Sequence, residues 1–282
     1  ARNKPIAKGV DFKEVARATP GFTGADLANL LNEAALLAAR LGEEEITYQH
    51  ISESVFKVMI GPEKKSRVIT GKERDLTAWH EAGHALVLRT VSDTNRVERV
   101  SIIPAGAAGG YTAHKPNEDL YYTTKNQLLN EIKIALGGRA AEDIVYGEVS
   151  TGAASDLQSC NDVARDMVKK YGMSKSLPNL VFNSDSNEVF LGRDYGHVEN
   201  YSDGVAETID REVKEIIDYC YQEAKRILQE KFNALEAITN ALLDQEKIEG
   251  PEFERIYLAN TTEEQRANDA DNPGRDEQYF QT

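Results

Sequence analysis

With 282 residues, of which 40% are hydrophobic and 28% charged, the chain has material for about two folded domains and is excluded from the disordered and fibrous classes. A formal net charge of −14 excludes nucleic acid and anionic membrane surfaces as direct partners of these residues. Two cysteines, Cys160 and Cys220, with no C-x-x-C spacing, are too few for a disulfide scaffold and read as free thiols of a reducing compartment.

Residues 1–60 read as a small helical unit. Thr23 and Asp26 have the form of a capping box, and Leu27, Leu30, Leu31, Ala34, Leu37, Ala38 and Leu41 then recur at helical spacing up to Gly42. A second helix is expected over Tyr48 to Met59, with Ile51, Val55, Phe56 and Met59 turned inward. The polar stretch 61–67 is a hinge, so the chain divides into residues 1–62 and 63–259, followed by a tail over 260–282. The second unit opens near Thr70 on a helix in which Leu76, Trp79, Ala82, Gly83, Leu86 and Val87 form an apolar face. A strand is expected over Val97 to Ile103, paired with Gly109 to Ala113 after a glycine-rich turn. Long helices follow at Thr124 to Tyr146, Asp156 to Tyr171, Ser202 to Glu230, Phe232 to Gln245 and Gly250 to Leu258. A short strand pair is placed at Leu180–Phe182 and Val189–Leu191. From Asn260 the apolar period is lost, which predicts a disordered tail. The fold class is mainly α with a small β-sheet (α+β).

Chemistry concentrates at His80-Glu81-Ala82-Gly83-His84, an H-E-x-x-H pattern inside the helix that opens the second unit. Residues four apart share a helix face, so both imidazoles can meet one tetrahedral Zn²⁺ with Glu81 beside it as a general base for peptide hydrolysis. The plain alternative is a pair of unrelated histidines, against which stand the glutamate and the apolar flanks. Gly83 costs about 1 kcal/mol relative to alanine in mid-helix and marks close packing. A catalytic zinc takes a third protein ligand. No histidine stands at metzincin spacing, which leaves two carboxylates: Glu142 on the helix downstream and Asp156 at a helix start. The solitary His114, His50 and His197 read as loop or surface residues.

Thr77 to Ala85, Ser101-Ile102-Ile103-Pro104, Gly137 to Glu142 and Ser150 to Leu157 together closely resemble the FtsH family of membrane-anchored AAA+ zinc metalloproteases. The likeness runs upstream through Thr19 to Leu27 and downstream through Val189 to Arg193. It implies a helical AAA+ lid followed by a helical zincin-like peptidase domain, with Zn²⁺ held by His80, His84 and Asp156, Glu81 as the catalytic base, and Glu142 behind the ligands. It also implies that Gly24 and Ala25 sit where the lid nears the adenosine of ATP, although a capped helix start explains them as well. One departure is local: the family often has Ala-Thr where this chain has Cys160-Asn161.

The whole enzyme implied is an ATP-dependent homohexamer that threads unfolded polypeptides into a peptidase chamber for protein quality control. The resemblance places it on the cytoplasmic face of the inner membrane in a bacterium, or on an organelle membrane in a eukaryote. No G-x-x-x-x-G-K-[ST] and no run of eighteen apolar residues occurs, so ATP hydrolysis and an N-terminal membrane anchor are expected outside these residues, and this stretch itself is expected to be soluble. Substrate is expected to add as an extended strand near Val100 to Ile103. Two competing classes are a non-catalytic ring-assembly module with structural zinc, which a closed four-ligand site would mark, and a nucleotide-binding module, weakened by the missing P-loop.

Overall fold

The computed structural model describes residues 4–64, 70–92, 94–106, 108–116, 122–182, 201–267 and 269. The first unit is made of α1 (Phe12–Arg17), α2 (Gly24–Leu41) and α3 (Tyr48–Met59). Thr23 and Asp26 close the expected capping box on α2, Thr47 and His50 form another on α3, and Gly42 ends α2 in the left-handed region at φ 77°. Leu30, Ala34, Ile46, Ile51 and Val55 form its core. Each Leu, Ile or Val side chain among them contributes about 1.5–3 kcal/mol when fully buried.

The second unit is built around α4 (Gly71–Val91), which starts at a Thr70–Glu73 capping box. After it come β1 (Asn95–Ser101), β2 (Tyr111–Pro116), α5 (Lys125–Tyr146), a 3-10 turn at Thr151–Ala153 and α6 (Ala154–Lys169). The chain continues with α7 (Asp203–Glu230), α8 (Phe232–Gln245), β3 (Lys247–Glu249), α9 (Gly250–Ala259) and α10 (Glu263–Ala267). One core joins α4 to the sheet, α8 and α9 through Leu86, Val100, Leu235, Ile238, Phe253 and Tyr257. A second joins α5, α6 and α7 through Leu129, Ile132, Met167, Ile216 and Cys220. Helices α4 and α5 cross with their backbones in contact: a Cβ on Gly83 would lie 2.4 Å from the Gly137 carbonyl oxygen, and one on Gly137 would lie 2.7 Å from that of Gly83. The mid-helix glycine anticipated as a close-packing position is therefore half of a pair, and alanine at either would force the two helices apart.

All three strands are antiparallel in the order β2-β1-β3. Strand β1 is thus central, with Val100 opposite Thr112 on one side and Ile248 on the other. This corrects the expected addition of a substrate strand near Val100 to Ile103, because β1 has no free edge along Val100 and Ser101; the outer strands among the described residues are β2 and the three-residue β3, and of these β2 adjoins Glu81. The third strand was not anticipated, since three residues between two helices carry no readable period. Arg99 on β1, buried, forms a bidentate pair with Glu53 of α3 (2.9 and 2.8 Å), reaches Glu249 of β3 at 2.9 Å, and lies 4.1 Å over the Phe56 ring. The first unit is docked on the sheet through this residue.

Two further expectations are corrected. Leu180–Phe182 is not a strand; the Phe182 amide bonds the Lys169 carbonyl at 2.8 Å beyond the end of α6. Val189–Leu191 lies outside the described residues. In the tail predicted to be disordered over 260–282, α10 is formed and Asp269 is buried against Lys231 and Tyr257, with the Lys231 ammonium also donating to Thr90 Oγ1 at 3.1 Å, while 268 and 270–282 lie outside the described residues. A buried lysine needs that carboxylate, which holds the chain where apolar periodicity does not. No described helix is long and apolar enough to cross a membrane.

Candidate metal centre

His80 and His84 stand one turn apart on α4, their rings edge to face with centroids 4.6 Å apart, and their Nε2 atoms are separated by 3.0 Å. Asp156 comes from the first turn of α6, with Oδ2 3.3 Å from His80 Nε2 and 3.6 Å from His84 Nε2. Among the described residues these three form the one group of potential metal ligands whose atoms converge. The far side of each ring is occupied. His84 Nδ1–H donates to the Ile134 carbonyl at 2.7 Å, and His80 Nδ1–H donates to Glu142 Oε1 at 2.7 Å. Because a carbonyl oxygen can only accept, His84 carries a proton on Nδ1, which leaves its Nε2 facing Asp156.

Glu142, the rival carboxylate, is committed elsewhere. Besides His80 it accepts from the Ser150 amide (2.6 Å) and the Ser150 hydroxyl (3.1 Å). Burial raises its carboxyl, but His80 and Ser150 overcome that effect and hold it below the usual value. It orients His80 from behind.

Two imidazole nitrogens and one carboxylate oxygen suit zinc, and the fit has an independent mark. A Cβ on Gly138 would lie 2.6 Å from both Nε2 atoms, so glycine alone keeps the α5 backbone clear of the space the ligand atoms share. Burial lowers the His80 pKa, but Asp156 and Glu142 outweigh it and raise it to about 10, while the two histidines hold Asp156 far below the usual carboxylate range against its own burial.

Glu81 is buried beneath β2, where the Thr112 hydroxyl lies 2.9 Å from its Oε2 and 3.1 Å from its carbonyl oxygen. Burial pushes its carboxyl upward, opposed by His84, His80 and Thr112. A cleft of about 980 Å³ runs past Glu81 and the three ligand atoms, between β2 on one side and α5 and α6 on the other.

Gly24 and Ala25 are exposed in the first turn of α2 and do not line this cleft. His114 lies at its mouth, outside the converging group, and His50 is spent on the α3 cap. His197 is outside the described residues. Cys160 is buried, donates weakly to the Ile132 carbonyl at 3.7 Å, and has its thiol pushed up to about 12 by burial, so this departure from the family pattern touches no ligand hydrogen bond. Sequence reading passed over Gly138, Ser150 and Thr112. The paired glycines on α5 carried a signal for the first, whereas the other two depend on how loop and sheet dock.

A helix-borne H-E-x-x-H pair meeting a carboxylate from a second helix, at the floor of a cleft beside a strand, has the build of a zinc peptidase domain. Residues 67–256 match the profile of peptidase family M41, and residues 9–53 that of the AAA+ lid domain. The chain belongs to peptidase family M41. It is 55% identical over 91% of its length to an ATP-dependent zinc metalloprotease FtsH of Ruminiclostridium cellulolyticum. Proteins of the same name from Bacillus subtilis and Thermotoga maritima are 46% and 47% identical over 95% and 90% of it. The chain spans 42% of the length of each of these relatives.

Proposed function

We propose that this chain is the zinc-dependent endopeptidase part of an ATP-dependent processive protease that degrades unfolded soluble and membrane proteins. The observation that carries this reading is the convergence of His80 Nε2, His84 Nε2 and Asp156 Oδ2 beside Glu81 at an open cleft. Those three residues would hold Zn²⁺, which when bound acidifies a water and polarises the carbonyl of the scissile peptide. Glu81 takes the water's proton on its carboxylate and passes it to the departing amine. Its burial beside the ligands keeps the carboxylate out of bulk water, and Glu142 and the Ile134 carbonyl fix the two imidazoles.

An extended substrate segment adds to the free edge of β2, which adjoins the cleft and reads backbone rather than side chains. A structural zinc in a ring-assembly module is disfavoured, since three ligands and not four converge among the described residues. The AAA+ lid is assigned to residues 1–62 and the peptidase to 63–259. ATP use, with Gly24 and Ala25 near the nucleotide, the homohexamer, the membrane anchor and a place at the cytoplasmic face of a membrane belong to this proposal for the whole enzyme.

The test is cleavage of casein by the 282-residue chain, with and without a chelator and with and without ATP. Cleavage that a chelator stops and Zn²⁺ restores, with a stably folded substrate left intact, is expected. Cleavage indifferent to chelator would refute the reading.

A further inference from the structure

Thr112 lies on β2 and Gly110 is the residue that leads into it, two positions away, so extended backbone turns both to the same side. Both meet Glu81. The Thr112 hydroxyl lies 2.9 Å from Glu81 Oε2 and 3.1 Å from the Glu81 carbonyl oxygen, so its one proton goes to the nearer carboxylate oxygen or is shared between the two acceptors. A Cβ on Gly110 would lie 2.7 Å from the Ser101 carbonyl oxygen of β1, 2.9 Å from Glu81 Cγ and 2.9 Å from Thr77 Cγ2, so glycine there lets the chain pack at once against β1 and around the glutamate stem. Strand β1 backs the pair through the register Val100↔Thr112 and Ser101↔Tyr111. The contact therefore rests on a paired sheet and not on a free loop. Among the described residues Oε1 accepts no hydrogen bond, so one oxygen is tied and the other left open.

We infer that Thr112 is a positioning residue for Glu81: its hydroxyl, with the space left by Gly110, locks the carboxylate in one orientation so that Oε1 alone is presented to the water and the leaving amine. This rests on the peptidase reading above. A buried carboxylate on three rotatable bonds has several rotamers open to it, and a fixed donor on a paired strand selects one. The catalytic consequence is orientation, for which misplacement of a group by about 1 Å costs up to about 100-fold.

The experiment compares the full chain with Thr112→Val, which removes the hydroxyl at nearly constant shape, and Thr112→Ser, which keeps it. With an unstructured peptide substrate, Thr112→Val is expected to lower kcat by about 10- to 100-fold with KM within about twofold and zinc content unchanged. Thr112→Ser is expected to stay within about threefold of the native kcat. Crystal structures of the metal-free proteins supply a readout independent of turnover: Glu81 in a single conformer in the native and Ser forms, and turned or split in the Val form. The inference is overturned if Glu81 keeps its conformer in Thr112→Val, if kcat is unchanged there, or if Ser is as impaired as Val. Absence of peptidase activity in the native chain would instead defeat the functional reading, and the three structures would still decide whether Thr112 sets the orientation of Glu81.

Discussion

The metal centre and the junction at Arg99 are both ionic clusters assembled from elements far apart in the chain, yet they are balanced in opposite ways. At the junction the chain brings its own cation. The Arg99 guanidinium is matched by Glu53 and Glu249 and covered by the Phe56 ring, and these partners outweigh its desolvation, so it stays charged. At the metal centre α4 and α6 bring two imidazole nitrogens and a carboxylate oxygen to within 3.0 to 3.6 Å of one another, and the Nδ1 atoms of the histidines are already engaged. A cluster that closes on itself supports the fold. One whose ligand-type atoms converge around a glycine-cleared space has room for a cation from outside, as proposed above.

The sharpest way to break this comparison is to fill the space. Gly138→Ala puts a methyl 2.6 Å from both Nε2 atoms, so zinc affinity should fall by more than the roughly 10- to 100-fold typical of a lost supporting hydrogen bond, with helix content retained. Zinc titration against a competing chelator, with circular dichroism alongside, measures both. Native affinity in Gly138→Ala would mean that the cation does not sit between the two rings.

A smaller effect follows from the raised pKa of His80. Metal binding requires His80 to lose a proton held at a pKa raised to about 10. Apparent zinc affinity should therefore rise about tenfold per pH unit between the ordinary histidine value of 6.5 and about 10, with about one proton released per ion. The linked stability has the opposite trend. Because the folded pKa lies above the unfolded one, the stabilisation is fully present below pH 6.5 and is lost as pH rises through about 10 in the metal-free protein. A pH series of competition titrations and denaturant melts checks both signs.

The smallest effect belongs to the junction. Arg99→Met removes a buried cation whose carboxylate partners are one-third to one-half exposed, so the cost is discounted to about 2 kcal/mol, or roughly 4–8 °C in melting temperature. Zinc stoichiometry should not change. A fall in metal content in Arg99→Met would show that the two clusters are not independent.

Much of this arrangement was readable from residue order, and the remainder has identifiable reasons for being hidden. His80 and His84 were legible because their spacing is the period of a helix, and the start of α2 because Thr23 and Asp26 make a local hydrogen-bond pair. Asp156 and Glu142 could not be separated by local pattern, since the choice depends on α6 docking against α5; family resemblance pointed to Asp156, and the geometry supports that choice by spending Glu142 on Ser150 and the back of His80. The third strand escaped because Lys247–Glu249 is too short to show alternation, and with it went the distinction between a central and an edge position for β1. The role of Thr112 was invisible for the same reason. A threonine in a strand has no sequence mark that says which helix side chain its hydroxyl will meet.

The central claim, that α4 offers two ligands and a base rather than three ligands, is tested most directly by zinc analysis and peptide cleavage on Glu81→Gln beside the native chain. Near-stoichiometric zinc in both, with cleavage lowered by a factor on the order of 10² or more in the variant, is the predicted result. Loss of zinc together with activity would make Glu81 a ligand, and retained cleavage would remove it from the chemistry; either result contradicts the account.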